Sequence, residues 1–341
     1  MSGGVDSSVA AALMLEQGHD CAGITFRFRK EESEDSPGIN DAKAVALGLG
    51  IPYKVIDLTE EFNRQVIHRF IETYEQGATP NPCVICNRYL KFNFHLLRLR
   101  ELEFDCIATG HYARIEHDAS CGRFLLRKAL DAGKDQSYVL YGLDQQQLQC
   151  ARFPLGMLSK QQVRQIAEGR HFANHAKAES QDICFVPNGD YGDFIEAYTG
   201  KTFPPGDIVD PGGKPLGRHR GIIRYTIGQR RGLGVASGEP LYVAAKSVAD
   251  NTVTLGPDSI LYSKTLTARD INLIACARLD KPLRVSVKTR YLQAAQPAIA
   301  EQTGEDELRI EFDSPQRAIT PGQAAVMYDS DIVIGGGLIT S

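Results

Sequence analysis

Ser2-Gly3-Gly4-Val5-Asp6-Ser7-Ser8, followed at once by the helix-like run from Val9 to Gln17, is the stretch that decides the fold. Two glycines let backbone amides come close to an anion, serines add hydroxyl donors, and a helix N-terminus favours negative charge. The string therefore suits a phosphate or pyrophosphate. An ordinary Gly-Ser turn capped by Asp6 or Ser7 is the plainer alternative. A Walker loop is excluded, since no Gly-Lys-Ser/Thr ending follows.

Working outward, Asp20 to Phe26 and Tyr53 to Leu58 read as short apolar strands with helical spacing between and after them, a βαβ alternation. Phe62, Val66, Phe70 and Tyr74 recur every four residues, with Thr59 as the expected N-cap and Gly77 as the stop. A strand at Cys106 to Thr109 and a helix from Ser159 to Glu168, capped by Ser159, extend the pattern to a parallel sheet wrapped by helices. After about Pro187 the texture changes: Phe203-Pro204-Pro205-Gly206 and Asp210-Pro211-Gly212-Gly213 read as turns. Beyond about Asp250, Leu283, Val285, Val287, Thr289 and Tyr291 alternate with polar residues, as do Leu308, Ile310 and Phe312. These runs predict a small antiparallel barrel or sandwich. The expected fold is thus α/β, with a parallel-sheet domain at 1–187, a small central domain at 188–249 and a C-terminal antiparallel β-barrel at 250–341.

A chain of 341 residues with 43% hydrophobic and 23% charged residues, and no apolar run near twenty, has the composition of a multi-domain globular protein without a membrane span. The N-terminus lacks the basic segment and apolar core of a signal peptide, so the cytoplasm is the expected compartment. Eight scattered cysteines are expected as free thiols. The net charge of -4 excludes a uniformly basic nucleic-acid coat. Between Lys201 and Pro240, however, seven basic residues face three acidic ones, either a phosphate-tracking patch or a solvated surface.

Thr79-Pro80-Asn81-Pro82-Cys83-Val84-Ile85-Cys86-Asn87 places two cysteines three residues apart after a proline-fixed turn. The spacing predicts both sulfurs on one side of a helix start, where amide dipoles lower thiol pKa. A zinc half-site, a redox pair, a catalytic thiol with a neighbour and a cluster ligand pair all remain open. The last two need a third cysteine, for which Cys184 in Ser180-Gln181-Asp182-Ile183-Cys184-Phe185 is the candidate.

The first seven-residue string resembles the pyrophosphate (PP) loop of the ATP pyrophosphatases. With Thr79-Pro80-Asn81-Pro82 and Cys86-Asn87, it is followed in order by Ala108-Thr109-Gly110-His111-Tyr112, Lys134-Asp135-Gln136-Ser137-Tyr138 and Ile183-Cys184-Phe185. Thr226-Ile227-Gly228-Gln229-Arg230-Arg231-Gly232-Leu233-Gly234, Lys288-Thr289-Arg290-Tyr291 and Thr320-Pro321-Gly322-Gln323 continue the series. Over nearly its whole length the chain resembles the bacterial tRNA-specific 2-thiouridylases. The resemblance implies an ATP-dependent tRNA-uridine 2-sulfurtransferase that adenylates the 2-oxygen of the wobble uridine, releases pyrophosphate and AMP, and inserts sulfur from a cysteine persulfide. Another ATP pyrophosphatase, transferring nitrogen to an adenylated small molecule, is the alternative. The resemblance implies ATP contacts at Ser2, Gly3, Gly4, Val5, Asp6, Ser7, Phe26 and Gly110, with Mg2+ on the phosphates. It implies Cys86 as nucleophile and Cys184 as persulfide carrier, with Asn81, Pro82 and Cys83 at the target base. His111, Lys134, Asp135, Gln136, Arg290, Tyr291 and Gln323 would meet tRNA, although His111 also reads as a satisfied strand-end histidine and Lys134-Asp135 as a solvated turn pair. A persulfide donor protein is the implied upstream partner.

Two departures from the family pattern stand out. Relatives carry an apolar strand ahead of the loop, whereas this sequence starts at Met1, so the first central strand is expected to be missing. Many relatives have Asp where Cys83 stands, which removes the acid-base role from that position. With Cys86 and Cys184 it instead supplies three candidate metal ligands for an iron-sulfur cluster, an alternative sulfur route with one iron open.

Overall fold

The computed structural model describes residues 1–30, 32–33, 35–93, 103–177, 183–186 and 189–341. Ser180, Gln181 and Asp182 of the Cys184 motif, and the expected boundary at 187–188, lie outside the described residues.

Strands β1 (Gly23–Arg27) and β2 (Tyr53–Asp57) pair in parallel, in register from Gly23 opposite Tyr53 to Arg27 opposite Asp57. Strands β3 (Ile107–Ala108) and β6 (Ala151–Arg152) form a second parallel pair. The helix Val5–Glu16 begins inside the glycine-serine string, four residues earlier than its apolar run suggests, with Gly4 at the N-cap and no side-chain cap there. Its Val5, Val9 and Ala12 pack with Val163 and Ala167 of helix Lys160–Gly169. That helix carries the expected Ser159 cap, in a reciprocal capping box with Gln162.

The helical run 59–75 buries Phe62, Val66, Phe70 and Tyr74, the face its spacing predicts. Thr59 is its first helical residue and not its cap: the Asp57 carboxylate accepts from both the Thr59 amide (2.9 Å) and hydroxyl (2.6 Å). Asn63–Ile67 within the run is a π turn. A second π turn, Asn87–Lys91, follows the short helix Pro82–Cys86.

Hairpin β4 (Ala113–Asp118) and β5 (Arg123–Lys128) leaves this layer and reaches the C-terminal barrel. A small four-stranded sheet has the order β8 (Pro215–His219), β7 (Gly206–Val209), β10 (Thr252–Gly256), β9 (Tyr242–Ser247). The Asp210-to-Gly213 turn joins its first two strands, and Gly213 takes φ +84°, which glycine adopts without strain. The barrel closes six antiparallel strands: β11 (Tyr262–Leu273), β14 (Glu307–Arg317), β13 (Gln296–Gly304), β12 (Leu283–Lys288), β15 (Ala324–Asp329) and β16 (Ile332–Ile339), which pairs back to β11. Val285 and Val287, with Leu308, Ile310 and Phe312, point into its core as alternation requires. Thr289 and Tyr291 lie beyond the end of β12 at Lys288. Among the described residues no helix is long and apolar enough to cross a membrane.

Candidate active site

The glycine-serine string forms a compact loop at the N-terminus of the helix Val5–Glu16. Gly3 has φ +71°, and a Cβ there would sit 2.1 Å from the Gly38 carbonyl oxygen, so only glycine fits. Ser2 Oγ lies 3.2 Å from Ser7 Oγ, and the Ser7 hydroxyl donates to the Gly4 carbonyl at 3.0 Å. Gly110 backs the loop: a Cβ on it would fall 2.7 Å from Asp6 C and Ser7 N. Ser2, Asp6, Ser7, Phe26 and Gly110 line a cleft of about 1840 Å³. Gly3, Gly4 and Val5 shape the loop from behind, Val5 being buried in the core under it.

The same cleft is lined by Pro82, Cys83, Cys86 and Cys184, which brings the thiols to the cavity the loop opens on. Asn81 builds this wall: its side-chain oxygen accepts from the Cys83 amide (3.1 Å) and the Val84 amide (3.4 Å), and Pro82 occupies the first helical turn. The expectation of depressed thiol pKa values is overturned. Cys86 closes the short helix and is buried, and desolvation pushes its thiol up to about 11 against the opposing charge of Lys91. Burial also raises Cys184, with Lys91 again the main opposing influence. By accessible surface Cys83 and Cys184 are both exposed, unlike Cys86, so the raising of Cys184 reflects the protein packed around it and not closure from solvent. The three cysteines share a wall, yet among the described residues no three His, Cys, Asp or Glu side chains come together as a metal-holding set.

His111 lines the cleft but behaves as a satisfied histidine. Its Nδ1 is 2.9 Å from the Thr109 hydroxyl, its ring packs against Phe92 and Phe153, and burial with Lys91 nearby lowers its pKa to about 3. Gln136 also reaches the cleft, where its side-chain oxygen accepts from the Tyr112 amide at 2.9 Å. The other predicted residues lie away from the cavity. The Asp135 carboxylate is buried and accepts from Ala129 N, Ser137 N and Ser137 Oγ, while Lys134 sits in the turn just before it. This pair is no solvated turn on its acidic side.

Arg290 donates from one nitrogen to Ile227 O, Ala318 O and the Thr320 hydroxyl, tying central sheet to barrel. Gln323 donates to Thr79 O and Pro80 O, tying the barrel to the turn before Cys83. Tyr291 packs beside Tyr138. These motif residues thus hold the segments of the chain against one another.

Three contributors escaped the sequence reading, and a fourth, Tyr112, stood in a quoted motif without a role. Lys160 grips both Asp6 carboxylate oxygens at 2.7 and 2.8 Å, and the Tyr112 hydroxyl donates to one of them at 2.8 Å. Asn174, buried, donates to Gly3 O (3.1 Å) and Ser8 Oγ (3.0 Å). Lys91 stands in the cleft wall. No spacing signal links Lys160, Asn174 or Lys91 to the loop, because each arrives from a separate element.

Comparison with known proteins agrees with this layout. A family described as tRNA methyl transferase HUP domain matches residues 1–188, tRNA methyl transferase PRC-barrel domain matches 192–257, and aminomethyltransferase beta-barrel domain matches 263–339. The chain is 46% identical to the tRNA-specific 2-thiouridylase MnmA of Acetivibrio thermocellus, over 99% of this chain and 97% of that one. It is 45% identical to the protein of that name from Clostridioides difficile (99% and 96% covered). To the one from Moorella thermoacetica it is 46% identical (100% and 98%). The chain belongs to the family of bacterial tRNA-specific 2-thiouridylases.

Proposed function

We propose that this protein is an ATP-dependent tRNA-uridine 2-sulfurtransferase acting in the cytoplasm. The observation that carries the reading is the opening of one cleft onto both the anion-binding loop and the Cys86 and Cys184 thiols. ATP lays its phosphates against the loop amides and the Ser2 and Ser7 hydroxyls, with Mg2+ as their counter-ion. The uridine 2-oxygen attacks the α-phosphorus and pyrophosphate leaves, so the oxygen departs later as AMP. The terminal sulfur of a Cys184 persulfide bonds to C2 as AMP leaves. The Cys86 thiolate then attacks Cys184 Sγ, breaking the sulfur-sulfur bond and leaving 2-thiouridine and a Cys86–Cys184 disulfide. A cellular dithiol returns two electrons to reset the pair. The persulfide comes from a separate donor protein.

The test is anaerobic single-turnover incubation of the enzyme with ATP, Mg2+, a persulfide donor protein and unmodified tRNA, followed by nucleoside mass spectrometry and pyrophosphate assay. The reading requires 2-thiouridine and tRNA-dependent pyrophosphate release. Pyrophosphate released equally without tRNA would instead favour nitrogen transfer to a small molecule.

A further inference from the structure

Strand β11 carries one extra residue against β16, where Arg269 pairs with Leu338 but Asn272 pairs with Gly336. At this bulge Asp270 takes φ +51°, a left-handed conformation that aspartate tolerates better than most residues. The bulge is capped from the β13–β14 turn: the Asp306 carboxylate accepts from Asp270 N at 3.1 Å and Ile271 N at 2.8 Å. So held, the Asp270 carboxylate leaves the barrel and meets the π turn that follows Cys86. It accepts from Arg88 Nη1 at 2.7 Å and from the Tyr89 hydroxyl at 3.2 Å.

The receiving side is equally constrained. The Arg69 guanidinium lies 4.4 Å from the centre of the Tyr89 ring. Gln147 Nε2 donates to the Arg88 carbonyl at 3.1 Å. Gly142 leaves room for the Arg88 stem, for a Cβ there would lie 3.0 Å from Arg88 Cδ. Asn272, at the end of the bulge, donates to Tyr141 O and Leu143 O on either side of that glycine. The barrel therefore grips Arg88 directly and also fixes the segment against which it packs.

From this geometry we infer that Asp270 is a positioning residue for Cys86: the C-terminal barrel, through its bulge, sets the place of the thiol in the distant cleft. The inference rests on Cys86 being the nucleophile of the proposed reaction. A hydrogen-bonded ladder of this kind, partly open to solvent at Asp270, suits transfer between two thiols, because misplacement by about 1 Å costs on the order of a hundredfold in rate.

The experiment compares the wild type with Asp270→Asn, Asp270→Glu and Arg88→Met. Cys86 alkylation by iodoacetamide is read by peptide mass spectrometry without ATP or tRNA. Thiolation kinetics are read alongside it. In Asp270→Asn and Arg88→Met, Cys86 alkylation is expected to rise about fivefold, Cys184 alkylation to stay unchanged, and thiolation kcat to fall about tenfold at unaltered KM for tRNA. Asp270→Glu, which keeps the charge, recovers most of kcat, and the Arg88→Met, Asp270→Asn double variant is no worse than either single one. Unchanged Cys86 alkylation in folded Asp270→Asn would overturn the inference, as would a raised KM for tRNA at intact kcat, the mark of a tRNA contact. Because alkylation needs no turnover, a wild type that fails to thiolate tRNA would sink the functional reading while this arm still decides the positioning role.

Discussion

Replacing Gly110 by alanine tests whether this glycine serves the ATP loop by yielding space. Its Cβ would stand 2.7 Å from both the Asp6 carbonyl carbon and the Ser7 amide nitrogen, about 0.7 Å inside ordinary contact. Neither neighbour is the free end of a side chain. The Asp6 carboxylate is tied to Lys160 and Tyr112, and the helix beneath is seated on Val163 and Ala167, so the loop has little room to retreat. Overpacking of this order costs about 1–3 kcal/mol in stability. The larger effect falls on the loop amides, whose displacement by several tenths of an ångström weakens alignment with a pyrophosphate. We expect Gly110→Ala to bind ATP about tenfold more weakly and to thiolate tRNA about a hundredfold more slowly, with tRNA affinity little changed. Isothermal titration with ATP and with tRNA, single-turnover thiolation and urea denaturation read the four quantities. Wild-type ATP affinity together with wild-type rate would show that the loop tolerates the methyl group and would refute the close-packing argument.

Other outcomes follow from the same cleft. Lys160→Met strips two bonds from an Asp6 carboxylate that is only a third exposed, and is expected to cost about 2 kcal/mol in urea denaturation and about tenfold in ATP affinity; no change in either would remove Lys160 from the loop's support. Cys86→Ser and Cys184→Ser should each abolish donor-dependent thiolation with tRNA binding intact, and full activity in either would end the sulfur-transfer roles. Because burial raises Cys86 to about 11, its alkylation should climb about tenfold per pH unit from pH 7 to 10, and a plateau below pH 9 would contradict it. The folded thiol holds its proton where the unfolded one releases it near pH 9, so its contribution to stability is complete below pH 9. That contribution, about 3 kcal/mol, is lost between pH 9 and 11, a loss that Cys86→Ser should lack in pH-dependent denaturation.

Elements whose residues obey one local rule were readable from sequence. The alternation in 283–287 and 308–312 became barrel strands because one face of each meets the core, and Ser159 capped its helix because Gln162 stands three residues on. The glycine pair and serines of the loop were legible for the same reason, since a left-handed Gly3 and a helix N-terminus are both local demands. Local rules failed where environment outweighs them. The Cys83–Cys86 spacing pointed to dipole-activated thiols, but Cys86 falls at the end of a five-residue helix and under other side chains, where desolvation decides. Thr59 looked like a cap, but Leu58 holds the N-cap position, and one Asp57 carboxylate oxygen from the preceding strand accepts from both the Thr59 amide and its hydroxyl.

The residues that escaped altogether share a physical feature: each acts through an atom supplied by a distant element. Asp6 is within the motif, but its partner Lys160 opens a helix 154 residues later. Asp270 lies 182 residues beyond Arg88 and is aimed only by a bulge that no hydrophobic period announces. A buried, protonated Cys86 gains from such long-range holding. In a cleft that disfavours its thiolate, the place of the sulfur relative to Cys184 must be set by the scaffold, because the thiol's own acidity does not supply the reactivity. Activation by placement, with ionisation deferred until substrates alter the cleft, is therefore the arrangement to which both the loop's Lys160 brace and the barrel's Asp270 contact belong.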